Sequence, residues 1–304
     1  MSKTLAPSIT TRDPKGLKFM SIVEAAYNKA SLLDEEAQRV NDTPGLAELV
    51  GEFIVENRRI NRYANEEVVS NYTYPNGYKG PRPIREQIKA LARIFSLSPD
   101  HALYYAEKVL PTRTFPDGCE GPFAIVNHEA LARRFFPGVR DEKERLSRAA
   151  NLIVEKIGKS RKLVNYREGK LTPDRFRLNA RTAYALEILA KEQKGDIWIV
   201  GAQFGKRHAG KSVRRAREVM VGPEFGAHTV AAGSMLLTHP ERFVSFDNLW
   251  FDVPGDEFDL RRDDSFGHAP YFHFLDGKVK FDTLLDSRPY EFCGSVSLFL
   301  PQAS

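Results

Sequence analysis

Residues 195–220, GDIWIVGAQFGKRHAGKSVRRAREVM, decide how this chain is read. Ile197-Trp198-Ile199-Val200 is a short apolar run rich in β-branched and aromatic residues, which predicts a buried strand. Ser212 to Met220 lacks Gly and Pro and predicts a helix. Between them, Gly205 to Ser212 fits the G-x-x-x-x-G-K-[ST] phosphate-loop spacing. The twelve residues from Lys206 to Arg217 hold six Lys and Arg and no acid.

Composition sets the outer bounds. The 304 residues suffice for a sizeable core and two domains. Hydrophobic residues make up 42% and charged residues 28%, the balance of an ordinary globular chain. The N-terminus MSKTLAPSITTRDPKG has no apolar signal-peptide core, and no run of 18 apolar residues exists. Cys119 and Cys293 are too few for a disulfide framework or a cysteine zinc site. The expectation is a cytoplasmic protein with no membrane partner.

The net charge of +5 hides a segregation along the chain. Residues 1–132 carry 16 basic and 17 acidic side chains, residues 133–217 carry 23 and 9, and residues 218–304 carry 6 and 14. A basic middle of this kind marks either a polyanion-binding surface or a segment that an acidic tail neutralises.

Around the opening stretch the elements fall as follows. A helix is expected from Leu17 to Val40. A second, after Thr43-Pro44, should bury Leu46, Leu49, Val50, Phe53 and Ile54. Residues 72–83 are a turn-rich connector. Ile84, Ile88, Leu91 and Phe95 define one helix, and a second opens at Ser98-Pro99. The pair resembles a helix-turn-helix, but its second helix has little to offer bases or phosphates, so a structural hairpin is expected. A strand at Ala124–Val126 and a basic helix from Asp141 to Lys159 follow. Thr172-Pro173 opens a helix carrying Phe176, Ala180, Ala183 and Leu186, which Gly195 should stop. After a buried helix ending before Pro240, aromatic runs dominate, and Asp276-Gly277 is a hairpin signal. The fold class is α+β: a helical N-terminal half, a basic helical middle, and a small, mostly antiparallel sheet with helices in the C-terminal part. The expected domains are a helical one over 1–115 and an α+β one over 116–304, the latter divided into the basic segment 133–217 and the acidic tail 218–304.

The run over 195–220, with MLLTHPERF, LWFDVPGDEF, GSVSLFLPQ and YKGPRPIREQIKALARIF, resembles a cassette of uncharacterised bacterial proteins. The likeness covers most of residues 72–304 and implies a soluble bacterial protein, with no activity attached.

Two chemistries compete for the loop. In a phosphate loop the backbone amides around Gly205 and Gly210 cradle phosphates, Lys211 reaches them and Ser212 holds magnesium. Asp252 is then a weak candidate for the second metal-binding carboxylate. Against this stand the short tail after Ser212 and the bulk of Arg207 and His208. The other use is electrostatic: Lys206, Arg207, Lys211, Arg214, Arg215 and Arg217 contact nucleic-acid phosphates without sequence preference, and Arg161, Lys162, Arg167 and Lys170 extend the patch. His228, His239, His268 and His273 share the tail with Asp252, Asp256 and Glu257, but their spacing matches no ligand pattern, so no metal is expected. No catalytic residue and no cofactor is assigned. The function expected is therefore non-catalytic polyanion binding, nucleic acid first, through Lys206–Arg217. The alternative is a phosphate-loop nucleotide-binding enzyme using Gly205–Ser212. Parallel neighbours for the strand Ile197–Val200 favour that enzyme; antiparallel ones favour a binding or structural role.

Overall fold

Strand β5 (Ile197–Gln203) is buried at all seven positions, as its apolar run requires. The computed structural model describes residues 12, 14–43, 45, 46, 49–51, 54 and 62–303. They divide into two units, one within residues 1–60 and one within 61–304.

In the larger unit β5 lies between β2 (Gly121–Val126) and β12 (Ser297–Phe299), with β6 (Glu224–Gly226) beyond β12. Every pairing in this four-stranded sheet is antiparallel: Ile125 faces Trp198, Leu298 faces Ala202, and Leu298 faces Phe225 on its other side. This is the setting associated with a binding or structural role. Side chains finish the edges where no strand reaches. β12 covers only Gly201–Gln203, and Gln193 exchanges two 2.8 Å hydrogen bonds with the backbone of Ile199. At the β2 edge, the Ala124 N–H donates to Gln87 Oε1 at 3.0 Å and the Val126 N–H to Ser234 Oγ at 3.1 Å. An unpartnered buried amide would cost about 1–3 kcal/mol, so these polar side chains belong to the core.

The second sheet is mixed and runs β11 (Cys293–Ser295), β7 (Trp250–Asp252), β9 (His268–Leu275), β10 (Lys278–Leu285), β3 (Leu163–Asn165). β8 (Asp256–Phe258) joins β9 and brings in β4 (Phe176–Leu178). β10–β3 and β11–β7 are its parallel pairs. Asp276 and Gly277 take φ of 55° and 71° and close the β9–β10 hairpin, as the Asp-Gly signal predicts. Phe251, Phe272 and Phe281 stack inward at 5.3 and 4.8 Å between centroids, and Phe204 reaches Phe251 at 5.8 Å to make one core of both sheets.

Helices cover the first sheet. Thr229–Thr238, largely small or apolar and almost wholly buried, packs between β2 and the long helix Glu142–Ser160. The long helix is capped by Asp141, which accepts from Glu144 N at 2.8 Å, and it buries Leu146, Ala150, Ile153 and Ile157 at the expected spacing. Ile84–Phe95 lies against β2 and β5, with Ile88, Leu91 and Phe95 wholly buried. The first helix of the expected hairpin therefore packs into the core.

Several expectations fail for stated reasons. The helix expected over Leu17–Val40 is two, Pro14–Lys29 and Asp34–Asn41, because Ser31 turns left-handed at φ 50°. Leu46, Leu49, Val50 and Ile54 are exposed, not buried; Phe53 and Pro44 lie outside the described residues. Phe176 belongs to strand β4, drawn into the sheet by Phe258. The next helix accordingly starts at Ala180, capped by Asn179 rather than Thr172. It ends at Glu192 with Gln193 extended, so Gly195 is no C-cap. Gly195 is instead bare because a Cβ there would lie 2.8 Å from His101. Among the described residues no helix is long and apolar enough to cross a membrane.

Candidate functional site

The turn after β5 brings the expected phosphate-loop residues together. Gly205 takes φ 110°, and the chain crosses so close to Gly294 that a Cβ on Gly205 would sit 2.7 Å from the Gly294 carbonyl oxygen. Ser212 caps the helix Val213–Val219 by accepting from Arg215 N at 3.1 Å. The loop's amides, however, are already spent. Gly205 N donates to Gln203 Oε1 at 2.6 Å, Lys206 N to the Tyr74 hydroxyl at 3.0 Å, and Arg207 N to Gln203 Oε1 at 3.3 Å. His208, Ala209 and Lys211 donate to the carbonyls of Gly205, Lys206 and His208. Gly210 N donates to Cys293 O at 2.9 Å and Ser212 N to Glu66 O at 3.0 Å. A phosphate cradle needs a row of unpaired N–H groups converging on one point, and this loop points none inward. Asp252, the second carboxylate of that scheme, accepts from Ser295 at 2.5 Å on the other sheet. Burial pushes its pKa up to about 6.

What meets the Gly210-Lys211-Ser212 triplet is the chain's own segment 62–70. The Val68 N–H donates to Gly210 O at 2.8 Å. Lys211 Nζ lies 3.2 Å from Glu67 Oε2, and Ser212 Oγ donates to Glu66 Oε2 at 2.7 Å. Arg214 Nε donates to both Glu66 oxygens at 2.9 and 2.8 Å, and its Nη2 also reaches Glu66. Arg215 pairs with Glu67 and, at 2.9 Å, with Glu218. Carboxylates thus stand where the sequence suggested phosphates. The hydrogen bond from Arg214 holds the Glu66 carboxyl below its usual range. Burial raises that of Glu67, but Arg215 and Lys211 outweigh it and the net direction is also down.

The other basic residues are dispersed. Lys206 Nζ donates to Tyr72 O at 2.8 Å. Arg207 bonds Glu224 at 3.2 Å and the Asp117 carbonyl at 2.9 Å. Arg217 donates to the carbonyls of Pro254 and Asp256 at 2.8 Å each and faces Asp286 at 3.5 Å. Arg161 donates to Pro240 O at 2.8 Å and Arg167 meets Asp282 at 2.6 Å, so neither extends the patch. His208 Nε2 and Ser297 Oγ both bond Glu224 Oε1, at 2.7 and 2.6 Å. The serine donates to the carboxylate rather than to the imidazole, so these three side chains do not form a serine–histidine relay. No group of three His, Cys, Asp or Glu among the described residues fits a metal ion. His239 accepts from Arg82 N at 2.9 Å, and His273 packs on Trp250 at 4.4 Å.

A second place was not legible in the sequence. A cavity of about 580 Å³ opens between the helix His128–Phe135, the start of Glu142–Ser160, the helix Ala180–Glu192 and the start of β5. Leu146, Leu178, Leu186 and Trp198 give it apolar walls. His128 stands on its wall, only 13% exposed, with Nε2 3.8 Å from Glu129 Oε1. Burial pulls the pKa of His128 down to about 4, so at neutral pH it is an uncharged imidazole. Behind it His228 is wholly buried at 5.6 Å between ring centroids. His128 Nδ1, both nitrogens of His228 and Trp198 Nε1 are buried without a hydrogen-bond partner among the described residues. Two of these atoms belong to residues that line the cavity and two to His228 behind it, against the rule that buried polar groups are paired.

Neither a family model, nor a curated protein, nor a solved structure matches this chain.

Proposed function

We propose that this protein binds a small, largely apolar organic molecule in the cavity beside His128. One observation carries the reading: the cavity is of ligand size, about 580 Å³, and gathers apolar walls around a shielded, neutral histidine. Ligand sites of roughly 300–1,000 Å³ with apolar lining and a few placed polar groups are the usual form of small-molecule pockets. A group whose protonation is displaced by burial in such a place supports the assignment. The charged rim, with Lys143 and Glu187 among its side chains, is mixed in sign and favours no strongly charged ligand.

The chain has two tryptophans, and Trp198 lines the cavity, so its emission reports occupancy once Trp250→Phe removes the other. Titrating a panel of neutral aromatic and aliphatic compounds should change Trp198 emission and raise the melting temperature for some of them. Ala190→Phe, which adds bulk to the exposed wall without adding a second emitter, should abolish both responses without lowering stability. Silence across the panel in the protein with its cavity intact would reject the reading.

A further inference from the structure

We propose that residues 62–70 are a displaceable acidic strap that masks a nucleic-acid-binding site, and that Lys211, Ser212, Arg214 and Arg215 receive backbone phosphates when it lifts. This is independent of the cavity. It starts from what the strap's carboxylates occupy. Donors from four residues of the turn and helix converge on two neighbouring carboxylates, Glu66 and Glu67. Arginine guanidinium forks suit phosphate as well as carboxylate, because both present paired oxygens.

The surface under the strap is cut for close approach by an extended chain. Gly210 takes φ 77°, and a Cβ there would lie 2.0 Å from Val68 O. The strap itself is held almost wholly by polar contacts. The N–H groups of Arg62 and Tyr63 donate to Glu218, Val68 N to Gly210 O, and Ser70 Oγ to Glu291 O. Its valines contribute little, since Val68 is 42% exposed and Val69 82%, while the half-buried Tyr63 ring lies 4.4 Å from the Arg214 guanidinium. Segments with few buried apolar contacts and exposed hydrogen bonds open first. Downstream the character changes. The Tyr74 and Tyr78 hydroxyls donate to Glu120 at 2.5 and 2.6 Å, and the buried Arg242 guanidinium lies 4.2 Å over the Tyr74 ring. Lifting therefore stops short of Tyr74.

The competitor must be a polymer of regular charge. A tethered Glu-Glu pair acts at a high effective concentration, so one acidic peptide of similar charge displaces it poorly. A nucleic-acid strand brings many phosphates and gains from counterion release as it displaces the pair.

The test is fluorescence anisotropy with a labelled 30-nucleotide mixed-sequence single-stranded DNA between 50 and 300 mM NaCl. Glu66→Gln/Glu67→Gln keeps the shape of both side chains, and the amide oxygen it places at position 66 can still accept from Ser212. It should bind at least ~10-fold tighter than the unsubstituted protein, with a steep loss of affinity as salt rises. Adding Arg214→Ala should remove the gain. Glu86→Gln/Glu107→Gln, on a remote exposed surface, controls for net charge and should change little. If the double variant does not fold, Glu67→Gln alone must still tighten binding several-fold. Equal affinity in masked and unmasked proteins, an equal gain in the control pair, or equal capture of polyglutamate each overturns the proposal.

Discussion

Asp256 is wholly buried and uses one oxygen, Oδ2, to accept from both the amide and the hydroxyl of Thr229 at 2.5 Å. Its other oxygen has no partner among the described residues. Burial pushes its pKa up to about 7, against the opposing pull of Thr229 and Arg217. The folded protein therefore holds a proton that the unfolded chain, with an ordinary aspartate near 3.8, has lost across the interval between those values. Stability from this residue is greatest below about 4 and declines as pH rises through about 7, at no more than about 1.4 kcal/mol per pH unit. His128 works the other way. Its pKa is lowered by burial to about 4, so acidification below the ordinary histidine value of 6.5 favours the unfolded state. Asp256→Asn removes the first slope and leaves the second. Urea denaturation of both proteins at pH 5, 6, 7 and 8 should show the variant gaining on the parent up to pH 7 and then running parallel. A gap that stays constant from pH 5 to 7 would mean that Asp256 is ionised throughout.

At the scale of elements, the strand, turn and helix over residues 197–219 were legible because each rests on local chemistry: an apolar run, glycines at positive φ, and a serine cap. The α+β class was legible for the same reason, as was the hairpin at Asp276-Gly277. What meets those elements was not. The spacing of Gly205 to Ser212 carries no sign that Glu66 and Glu67, far upstream, fill the place of a phosphate. The cavity is hidden likewise, since its walls come from helix ends scattered between Asn127 and Trp198. Phe176–Leu178 reads as the start of a helix until Phe258 pairs with it. Gly210 gives a test of the turn's real partner. Gly210→Ala meets both a left-handed backbone and the Val68 carbonyl at 2.0 Å, and should lose about 2–3 kcal/mol in thermal or urea unfolding. Gly222→Ala meets only the backbone penalty at φ 57°, with nothing within 4 Å, and should lose about 1 kcal/mol. Equal losses would show that the strap does not press on Gly210.

Over the described residues, part of the charge segregation along the chain is offset in space. The acidic tail returns to the basic middle through Arg207–Glu224, Arg177–Glu257, Arg167–Asp282 and Arg217–Asp286. The exposed Arg177–Glu257 pair contributes about 0–1 kcal/mol, and the more buried pairs must first offset their own desolvation, so the apolar core decides stability. That core is drawn from Tyr78 through Phe299, and every member belongs to the unit 61–304. Among the described residues of 1–60, several large apolar side chains stand exposed instead: Leu17 is 57% exposed, Ile22 58%, Leu33 70% and Leu49 62%. The helix Asp34–Asn41 buries no residue at all. Since burying a Leu or Ile contributes about 1.5–3 kcal/mol, these four side chains add little apolar burial to stability. A chain beginning at Asn61 should therefore melt within about 2 °C of the full chain, with an undiminished unfolding enthalpy in scanning calorimetry. A drop of ten degrees or more, or a markedly smaller enthalpy, would mean that the first 60 residues belong to the cooperative transition.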